Sequence, residues 1–223
     1  MQKSVIIVAG GIGTRMNADI PKQFLELSGK PIVIRTIEKF YAFDNSIKII
    51  LVLPTQHILL WNKLIEKHNF NIPIQLANGG ETRFDSVKNG LELIKNGIVA
   101  IHDAVRPLVS SDTIKRAYET AFLKGNAIPT ILINDSLRIL DNSGNKPLDR
   151  TQVRIIQTPQ CFDVALIKKA YLQAYDISFT DDASVLEKLG EKINLVEGNP
   201  ENIKITHPID MLIAEALFLG NVF

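Results

Sequence analysis

Residues 5–16 of the chain read VIIVAGGIGTRM, and this stretch decides the fold class. Its first half is a run of apolar, mostly β-branched residues, which is typical of a buried strand in a parallel sheet. The run stops at Gly10-Gly11, where glycines allow a tight loop and a close approach of the backbone to a ligand. A buried strand followed by such a loop predicts the first βα unit of an α/β sheet.

Strand and helix patterns alternate along the chain after this first unit. We expect further strands over residues 47–53, 74–76, 98–102 and 127–133, separated by helices. The helix that precedes the last of these strands has Ile114, Ala117, Tyr118, Ala121 and Phe122 at helical spacing, so we expect all five on its buried face. The alternation predicts a Rossmann-like, mostly parallel twisted sheet with helices on both faces. Ligands bind beyond the carboxyl ends of such strands, here the loops 10–22, 78–86 and 102–107.

The alternation breaks at Asn134. Residues 136–140 and 153–156 flank Asp141-Asn142-Ser143-Gly144, a strong turn signal, so we expect an inserted β-hairpin arm at about 134–156. A lone hairpin is marginal in water, which favours packing against another subunit. Helical segments near 164–174 and 181–189 and a strand at 193–196 follow, all within one domain over residues 1–223. In the final helix we expect a buried stripe of Ile209, Leu212, Ile213, Ala216 and Leu217.

The composition excludes several classes of protein. Lys and Arg number 25 against 24 Asp and Glu, so the net charge of +1 gives no field for nucleic acid or an anionic membrane. The single Cys161 excludes a disulfide framework, and the four histidines show no metal-ligand spacing. The apolar runs are too short to span a bilayer, and the N-terminal residues lack a signal-peptide layout. We therefore expect a cytoplasmic enzyme.

The glycine loop does not fit the two commonest phosphate-binding motifs. A P-loop needs Gly-Lys-Ser/Thr after four spacer residues, which is absent here. In a dinucleotide fingerprint that starts at Gly11, Met16 would stand at the third glycine position, and the second strand ends at Leu53-Pro54 instead of an acidic residue. What remains is a loop with two cations, Arg15 and Lys22, which suit a polyphosphate whose negative charge grows during a reaction.

Further motifs follow the loop sequence that runs from Ala9 to Met16. They are Pro21-Lys22-Gln23-Phe24, Gly79-Gly80-Glu81-Thr82-Arg83-Phe84-Asp85-Ser86-Val87, His102-Asp103-Ala104-Val105-Arg106-Pro107, Asp149-Arg150, Gln157-Thr158-Pro159-Gln160, Phe179-Thr180-Asp181-Asp182-Ala183-Ser184 and Asn202-Ile203-Lys204-Ile205-Thr206. Together they resemble the 2-C-methyl-D-erythritol 4-phosphate cytidylyltransferase family, within the sugar-phosphate nucleotidyltransferase superfamily. The resemblance extends from the first strand to the last helix and implies the nucleotidyltransferase fold.

The resemblance implies transfer of CMP from CTP to 2-C-methyl-D-erythritol 4-phosphate, with release of pyrophosphate, in non-mevalonate isoprenoid synthesis. It implies Mg²⁺ or another divalent cation, held mainly by the CTP phosphates, with Asp103 as the candidate protein ligand. The implied catalytic residues are Arg15, Lys22, Arg150 and Lys204. The implied CTP-binding residues are Ala9, Gly10, Gly11, Gly13, Gly80, Ser86, Asp103 and Lys204. The implied acceptor-binding residues are Asp103, Arg106, Ser136, Arg150, Thr158 and Thr180.

The resemblance also implies a homodimer with exchanged arms, in which Arg150 serves the partner's site. Ser136 departs from the family, which often has Thr there, but it keeps the hydroxyl. Ribitol 5-phosphate or another polyol phosphate stays open as acceptor, as does a nucleotide-binding regulatory module without turnover. Residues 180–184 favour methylerythritol phosphate. We interpret His102 as a packed strand residue and Asp181 as a helix N-terminal residue.

Overall fold

The computed structural model describes residues 2–11, 16, 20–141 and 144–220. Its strands are β1 (Lys3–Val8), β2 (Glu26–Leu27), β3 (Lys30–Pro31), β4 (Lys48–Leu53), β5 (Gln75–Asn78), β6 (Ile98–Asp103), β7 (Asn126–Ile131), β8 (Leu137–Asp141), β9 (Gly144–Leu148), β10 (Ile155–Ile156), β11 (Gln160–Asp163) and β12 (Leu195–Glu197). Its helices are α1 (Ile32–Phe43), α2 (Ile58–Lys67), α3 (Arg83–Glu92), α4 (Ser111–Lys124), α5 (Val164–Ala170), α6 (Asp182–Glu187) and α7 (Pro208–Leu219). Within these residues, no helix is long and apolar enough to cross a bilayer.

The central sheet has eight strands in the order β10-β7-β11-β6-β1-β4-β5, and β12 also pairs with β7. The pairs β1–β4, β1–β6, β4–β5 and β7–β12 are parallel, which confirms a mostly parallel sheet. The sequence did not predict β11, which lies antiparallel between β6 and β7. Four residues, of which two are polar, are too few to show the alternation that identifies a strand.

Helices cover both faces of the sheet, as predicted, because successive strand residues point to opposite sides. Val5 and Ile7 pack in one buried cluster with α1, α2 and α4, whereas Ile6 packs in a second cluster with α3, α5 and α6. Strands that are apolar on both faces are therefore buried on both, which explains the continuous apolar runs in the sequence.

A third, smaller apolar cluster lies outside these two layers. It consists of Met16, Leu27, Ile32, Val105, Leu108, Ile205 and Ala214. Its members come from four separate chain segments, one of which leads into β2 and another into α7. We call it the satellite core, because it is small and lies apart from the two main clusters.

The prediction for the arm was wrong in one strand. Residues 137–141 pair with Gly144–Leu148, not with residues 153–156. Ile155–Ile156 instead pairs antiparallel with β7 in the main sheet. The sequence of β9, GNKPL, lacks the alternation of strand-forming residues, and its Pro147 is tolerated because the hairpin has two free edges.

The predicted buried faces of two helices also need correction. Phe122 is 60% exposed at the end of α4. In α7, Ile209, Leu212 and Ile213 are 57%, 67% and 43% exposed, while Ala214 is the residue buried in the satellite core. A helix as apolar as α7 has no single stripe, so periodicity cannot identify its buried face. Helices α5 and α6 end at Ala170 and Glu187, before the predicted limits.

Candidate functional site

The predicted loops meet at a cleft of about 300 Å³ at the carboxyl ends of the central strands. We call it the first cleft. It is lined by Val8, Ala9, Gly10, Gly11, Lys22, Gln23, Gly80, Glu81, Thr82, Arg83, Ser86, Asp103, Ala104, Val105 and Lys204. Ligands bind at this edge of parallel sheets because the loops that follow neighbouring strands converge there.

A second cleft, of about 280 Å³, lies beside the first. It is lined by Arg83, Asp103, Arg106, Ile156, Gln157, Thr158, Gln160, Thr180, Asp181 and Lys204. Arg83, Asp103 and Lys204 line both clefts, and we call these three residues the shared wall. Two ligands, one bound in each cleft, would therefore meet at this group of charged side chains.

Asp103, at the end of β6, is the centre of this charge. Its carboxylate lies 3.1 Å from the Lys204 ammonium, 3.2 Å from Arg106 Nε and 3.9 Å from Arg83 Nε. Burial favours the neutral acid, but the attraction of Lys204, Arg83 and Arg106 outweighs it and holds the pKa of Asp103 well below its ordinary value. Three cations thus converge on one ionised carboxylate. Arg106 also donates to the carbonyl oxygen of Asn202 at 2.8 Å.

The side chain of Arg83 is held in place by a buried ion pair. Its guanidinium donates two hydrogen bonds, of 2.8 and 2.6 Å, to the carboxylate of the buried Asp182. Tyr171 donates a further hydrogen bond to the same carboxylate at 2.6 Å. Arg83 lies within one of the motifs, but the sequence alone predicted no role for it. Its position as the first residue of α3, three residues after Gly80, is the signal that could have identified it.

Lys22 reaches the first cleft on a short 3₁₀ turn, residues 22–24. The buried Gln23 donates a hydrogen bond of 2.7 Å to the carbonyl oxygen of Ala9, which joins this turn to the end of β1. A Cβ added to Gly11 would lie 4.0 Å from Lys22 Cε, so the lysine side chain runs beside the glycine loop. Lys22 therefore lines the first cleft beside the glycine loop.

The loop before α3 is built around Gly80 and Ser86. A side chain at position 80 would collide with Asp85, since its Cβ would lie 2.2 Å from Asp85 Cβ. The Ser86 hydroxyl donates to the carbonyl oxygen of Thr82 at 2.9 Å and accepts the amide of Gly80 at 3.0 Å. Ser86 therefore makes hydrogen bonds within its own loop and also lines the first cleft.

His102 is fully buried, as predicted, and packs edge-on against Phe40. Its Nε2 lies 3.1 Å from the carbonyl oxygen of Arg106, and its Nδ1 lies 3.0 Å from the Thr158 hydroxyl. Burial lowers the pKa of His102 to about 4, so the ring is neutral near pH 7. Asp181 caps the N-terminus of α6, which confirms its interpretation as a helix N-terminal residue.

The other implied site residues divide into three groups. Arg106, Thr158 and Thr180 line the second cleft. Ser136 and Arg150 are exposed and occur in the lining of neither cleft; Arg150 contacts the carbonyl oxygen of Asn134 within the base of the arm. Gly13 and Arg15 lie outside the described residues.

A metal site made of protein ligands alone is not found in the part of the chain that the structure describes. No three His, Cys, Asp or Glu side chains among these residues are close enough to hold a metal ion. Asp103 and Glu81 are the carboxylates that line the first cleft, and Asp103 is already surrounded by cations. This donor set fits an ion that receives most of its ligands from a bound polyphosphate.

Comparison with known proteins gives one consistent family. A family model described as 2-C-methyl-D-erythritol 4-phosphate cytidylyltransferase matches residues 4–219. A protein of Phocaeicola vulgatus with that name is 51% identical over 218 residues, which cover 97% of this chain and all of that protein. The crystal structure of 4-diphosphocytidyl-2C-methyl-D-erythritol synthase from Anaerococcus prevotii matches with a TM-score of 0.83 at 28% identity, over 98% of this chain and 96% of that one. The Thermus thermophilus 2-C-methyl-D-erythritol 4-phosphate cytidylyltransferase gives a TM-score of 0.80 at 31% identity, over 97% and 98% of the two chains.

Proposed function

This chain belongs to the 2-C-methyl-D-erythritol 4-phosphate cytidylyltransferase family, and from that membership we propose the reaction that it catalyses. It transfers CMP from CTP to 2-C-methyl-D-erythritol 4-phosphate, giving 4-diphosphocytidyl-2-C-methyl-D-erythritol and pyrophosphate. The observation that carries the proposal is the shared wall, where two adjacent clefts meet at Arg83, Asp103 and Lys204. CTP occupies the first cleft, and the acceptor occupies the second.

The chemistry requires positioning and charge stabilisation more than covalent participation by the protein. An oxygen of the acceptor phosphate attacks the α-phosphorus of CTP, and the bond from that phosphorus to the bridging oxygen of pyrophosphate breaks. Both reactants are anions, so cations must offset their repulsion and the charge that develops in the transition state. Lys22, next to the glycine loop, and Lys204, on the shared wall, supply that charge. Arg15 has the same role in our proposal.

We propose Mg²⁺ as the metal that accompanies CTP. When bound to the triphosphate, it would neutralise part of the phosphate charge. Asp103, which lines the first cleft, would help to hold the ion together with the phosphates of CTP. Its ionised carboxylate is the form that a hard cation requires.

The hydrogen bonds of Ser86 support cytosine as the base. Its proton goes to Thr82 and one lone pair accepts the Gly80 amide, so one lone pair remains. That lone pair can accept a hydrogen bond from the amino group of cytosine, whereas the corresponding carbonyl oxygen of uracil would face it unpaired. A buried mismatch of this kind gives strong discrimination.

We propose that two chains exchange arms in a homodimer. The arm exposes apolar side chains, with Ile139 at 43% and Leu140 at 78% exposure, and it forms a two-stranded sheet separate from the main one. Arg150, in the base of the arm, and Ser136 line neither cleft of their own chain, so they are available to a partner's second cleft.

We propose the cytoplasm as the location of the protein. Its single cysteine is a buried free thiol, which suits that reducing compartment.

A pyrophosphate-release assay with CTP and a panel of acceptor phosphates tests the function. We expect turnover with 2-C-methyl-D-erythritol 4-phosphate, far slower turnover with ribitol 5-phosphate, and a large preference for CTP over UTP. Binding of CTP without pyrophosphate release from any acceptor would instead identify a nucleotide-binding regulatory module. Faster turnover of ribitol 5-phosphate would identify the alternative acceptor.

A further inference from the structure

The hydrogen bonds of His102 determine which of its ring nitrogens carries the proton. Nε2 lies 3.1 Å from the carbonyl oxygen of Arg106, and a carbonyl oxygen can only accept a hydrogen bond. Nε2 is therefore protonated. The ring is fully buried, and its two polar contacts are a carbonyl oxygen and a hydroxyl group, neither of which stabilises a positive charge as a carboxylate would, so the neutral ring is favoured. A neutral ring that is protonated on Nε2 has no proton on Nδ1, which can only accept a hydrogen bond.

The partner of Nδ1 is the Thr158 hydroxyl, at 3.0 Å. That hydroxyl must donate its only proton to His102. Its oxygen also accepts the backbone amide of Asp103 at 3.1 Å, which occupies one of its two lone pairs. One lone pair remains, and Thr158 lines the second cleft, so its hydroxyl can accept a hydrogen bond from a ligand but cannot donate one.

A dianionic phosphate has only acceptor oxygens and would be repelled by this lone pair. The same cleft holds the cations Arg106 and Lys204, which are suited to phosphate. A hydroxyl group of a polyol, in contrast, has the proton that the Thr158 oxygen lacks.

We propose that His102 is a positioning residue, which fixes the Thr158 hydroxyl as a hydrogen-bond acceptor so that it binds a hydroxyl group of the polyol and not its phosphate. This inference rests on the proposed function for the identity of the ligand as a polyol phosphate. In this assignment the hydroxyl-bearing carbon chain of the acceptor lies near Thr158, and its phosphate lies near the cations Arg106 and Lys204.

The tautomer is measured directly by ¹⁵N NMR of protein labelled at histidine. A His102→Asn variant identifies the resonances of this ring among those of the other histidines. We expect a protonated Nε2 and an unprotonated Nδ1 at pH 7, both without ligand and with the acceptor bound. A proton on Nδ1, or on both nitrogens, would make Thr158 a donor and overturn the proposal.

The ligand's side of the contact is tested with acceptors that each lack one hydroxyl. With wild-type protein we expect one of them to lose roughly fivefold to tenfold in kcat/KM, the effect of one neutral hydrogen bond. That loss should persist in Thr158→Ser, which keeps the hydroxyl, and disappear in Thr158→Val. Because both variants are compared with themselves across the acceptors, a general loss of stability does not imitate the result.

The opposite result is equally clear. If Thr158→Val lowers kcat/KM by the same factor for every acceptor and also weakens competitive inhibition by inorganic phosphate, the hydroxyl faces the phosphate and the proposal is wrong. If no acceptor is turned over at all, the proposed function fails, and the NMR measurement still decides the polarity of Thr158.

Discussion

Lys22 is the described cation that lies closest to the glycine loop, and its burial makes its charge effective. We expect Lys22→Ala to lower kcat by two to three orders of magnitude, since one donor to a developing charge is worth about 3–4 kcal/mol. Steady-state kinetics would measure the loss, with unchanged thermal unfolding to show an intact fold. The matched control is Lys63→Ala on the exposed side of α2, and a kcat near that control would remove Lys22 from the transition state.

Arg83 neutralises a carboxylate that has no access to water. Asp182 is completely buried, so Arg83→Ala leaves a buried charge that keeps the hydrogen bond from Tyr171 but loses its ion-pair partner. We expect the free energy of unfolding to fall by about 3–5 kcal/mol, as when one partner of a buried ion pair is removed. Lys188→Ala, which breaks the exposed pair with Asp176, should cost no more than about 1 kcal/mol in the same denaturant titration. Equal losses in the two variants would show that the Arg83–Asp182 pair behaves as a surface pair.

His102 makes stability depend on pH in a defined direction. Its pKa is about 4 in the folded protein against an ordinary 6.5, so between these values the unfolded chain binds the proton and the folded one does not. The free energy of unfolding should therefore fall as the pH decreases from about 6.5 to 4, by about 3 kcal/mol from this residue. The stabilisation is fully present above 6.5.

The measurement is a series of urea titrations of wild type and His102→Asn across this pH range. We expect the slope of unfolding free energy against pH to be shallower in the variant, whatever its absolute stability. Parallel slopes would mean that His102 takes up its proton equally in the folded and unfolded states.

At the scale of elements, α7 stabilises the turn between β2 and β3. Glu215 accepts the backbone amide of Ser28 at 2.7 Å and also the Ser28 hydroxyl, at a turn where Ser28 has φ of +49° and Gly29 of +76°. This turn follows the Lys22 segment, and α7 follows Lys204, so the contact joins two of the segments that supply cations to the first cleft.

We expect Glu215→Ala to lower the free energy of unfolding by about 2 kcal/mol, because hydrogen bonds to a charged group are the strong ones. Glu215→Gln keeps one accepting oxygen and should lose about half as much. The control Glu119→Ala, on the exposed face of α4, should stay within about 0.5 kcal/mol. A Glu215→Ala variant as stable as this control would show that the turn forms without α7.

The sequence predicted the elements whose patterns reflect burial on one or two faces. β1, β4 and β6 are buried on both sides and appear as apolar runs. The sequence failed to predict elements whose residues do not alternate between buried and exposed positions in a recognisable period. β9 and β11 are too short or too polar to show a period, and α7 is apolar on nearly all sides.

The candidate site was predictable to the extent that motifs mark the ends of strands. Gly80, Asp103 and Lys204 come together as the topology requires. The ion pair of Arg83 with Asp182 joins residues that are 99 positions apart in the chain. The position of the proton on the His102 ring depends on contacts with Arg106 and Thr158. Neither feature can be derived from the spacing of residues within one motif.

At the scale of the whole molecule, arm exchange can be tested by mixing inactive chains. In a heterodimer of Lys22→Ala and Arg150→Ala chains, one site collects both defects and the other has neither, if Arg150 serves the partner's site. Random assembly makes half of the dimers mixed, so about a quarter of wild-type activity should return. Mixed dimers, verified by tags on each chain, that stay inactive would show that Arg150 acts within its own chain or not at all.

The shared wall also has a thermodynamic consequence. In the proposed assignment, nucleotide and acceptor both bind against Arg83, Asp103 and Lys204, so each ligand would alter the electrostatic potential that the other experiences. Reciprocity then requires that the factor by which CTP changes the dissociation constant of the acceptor equals the factor by which the acceptor changes that of CTP. The two substrates would then be heterotropic effectors of one another, coupled through the three side chains where the clefts meet.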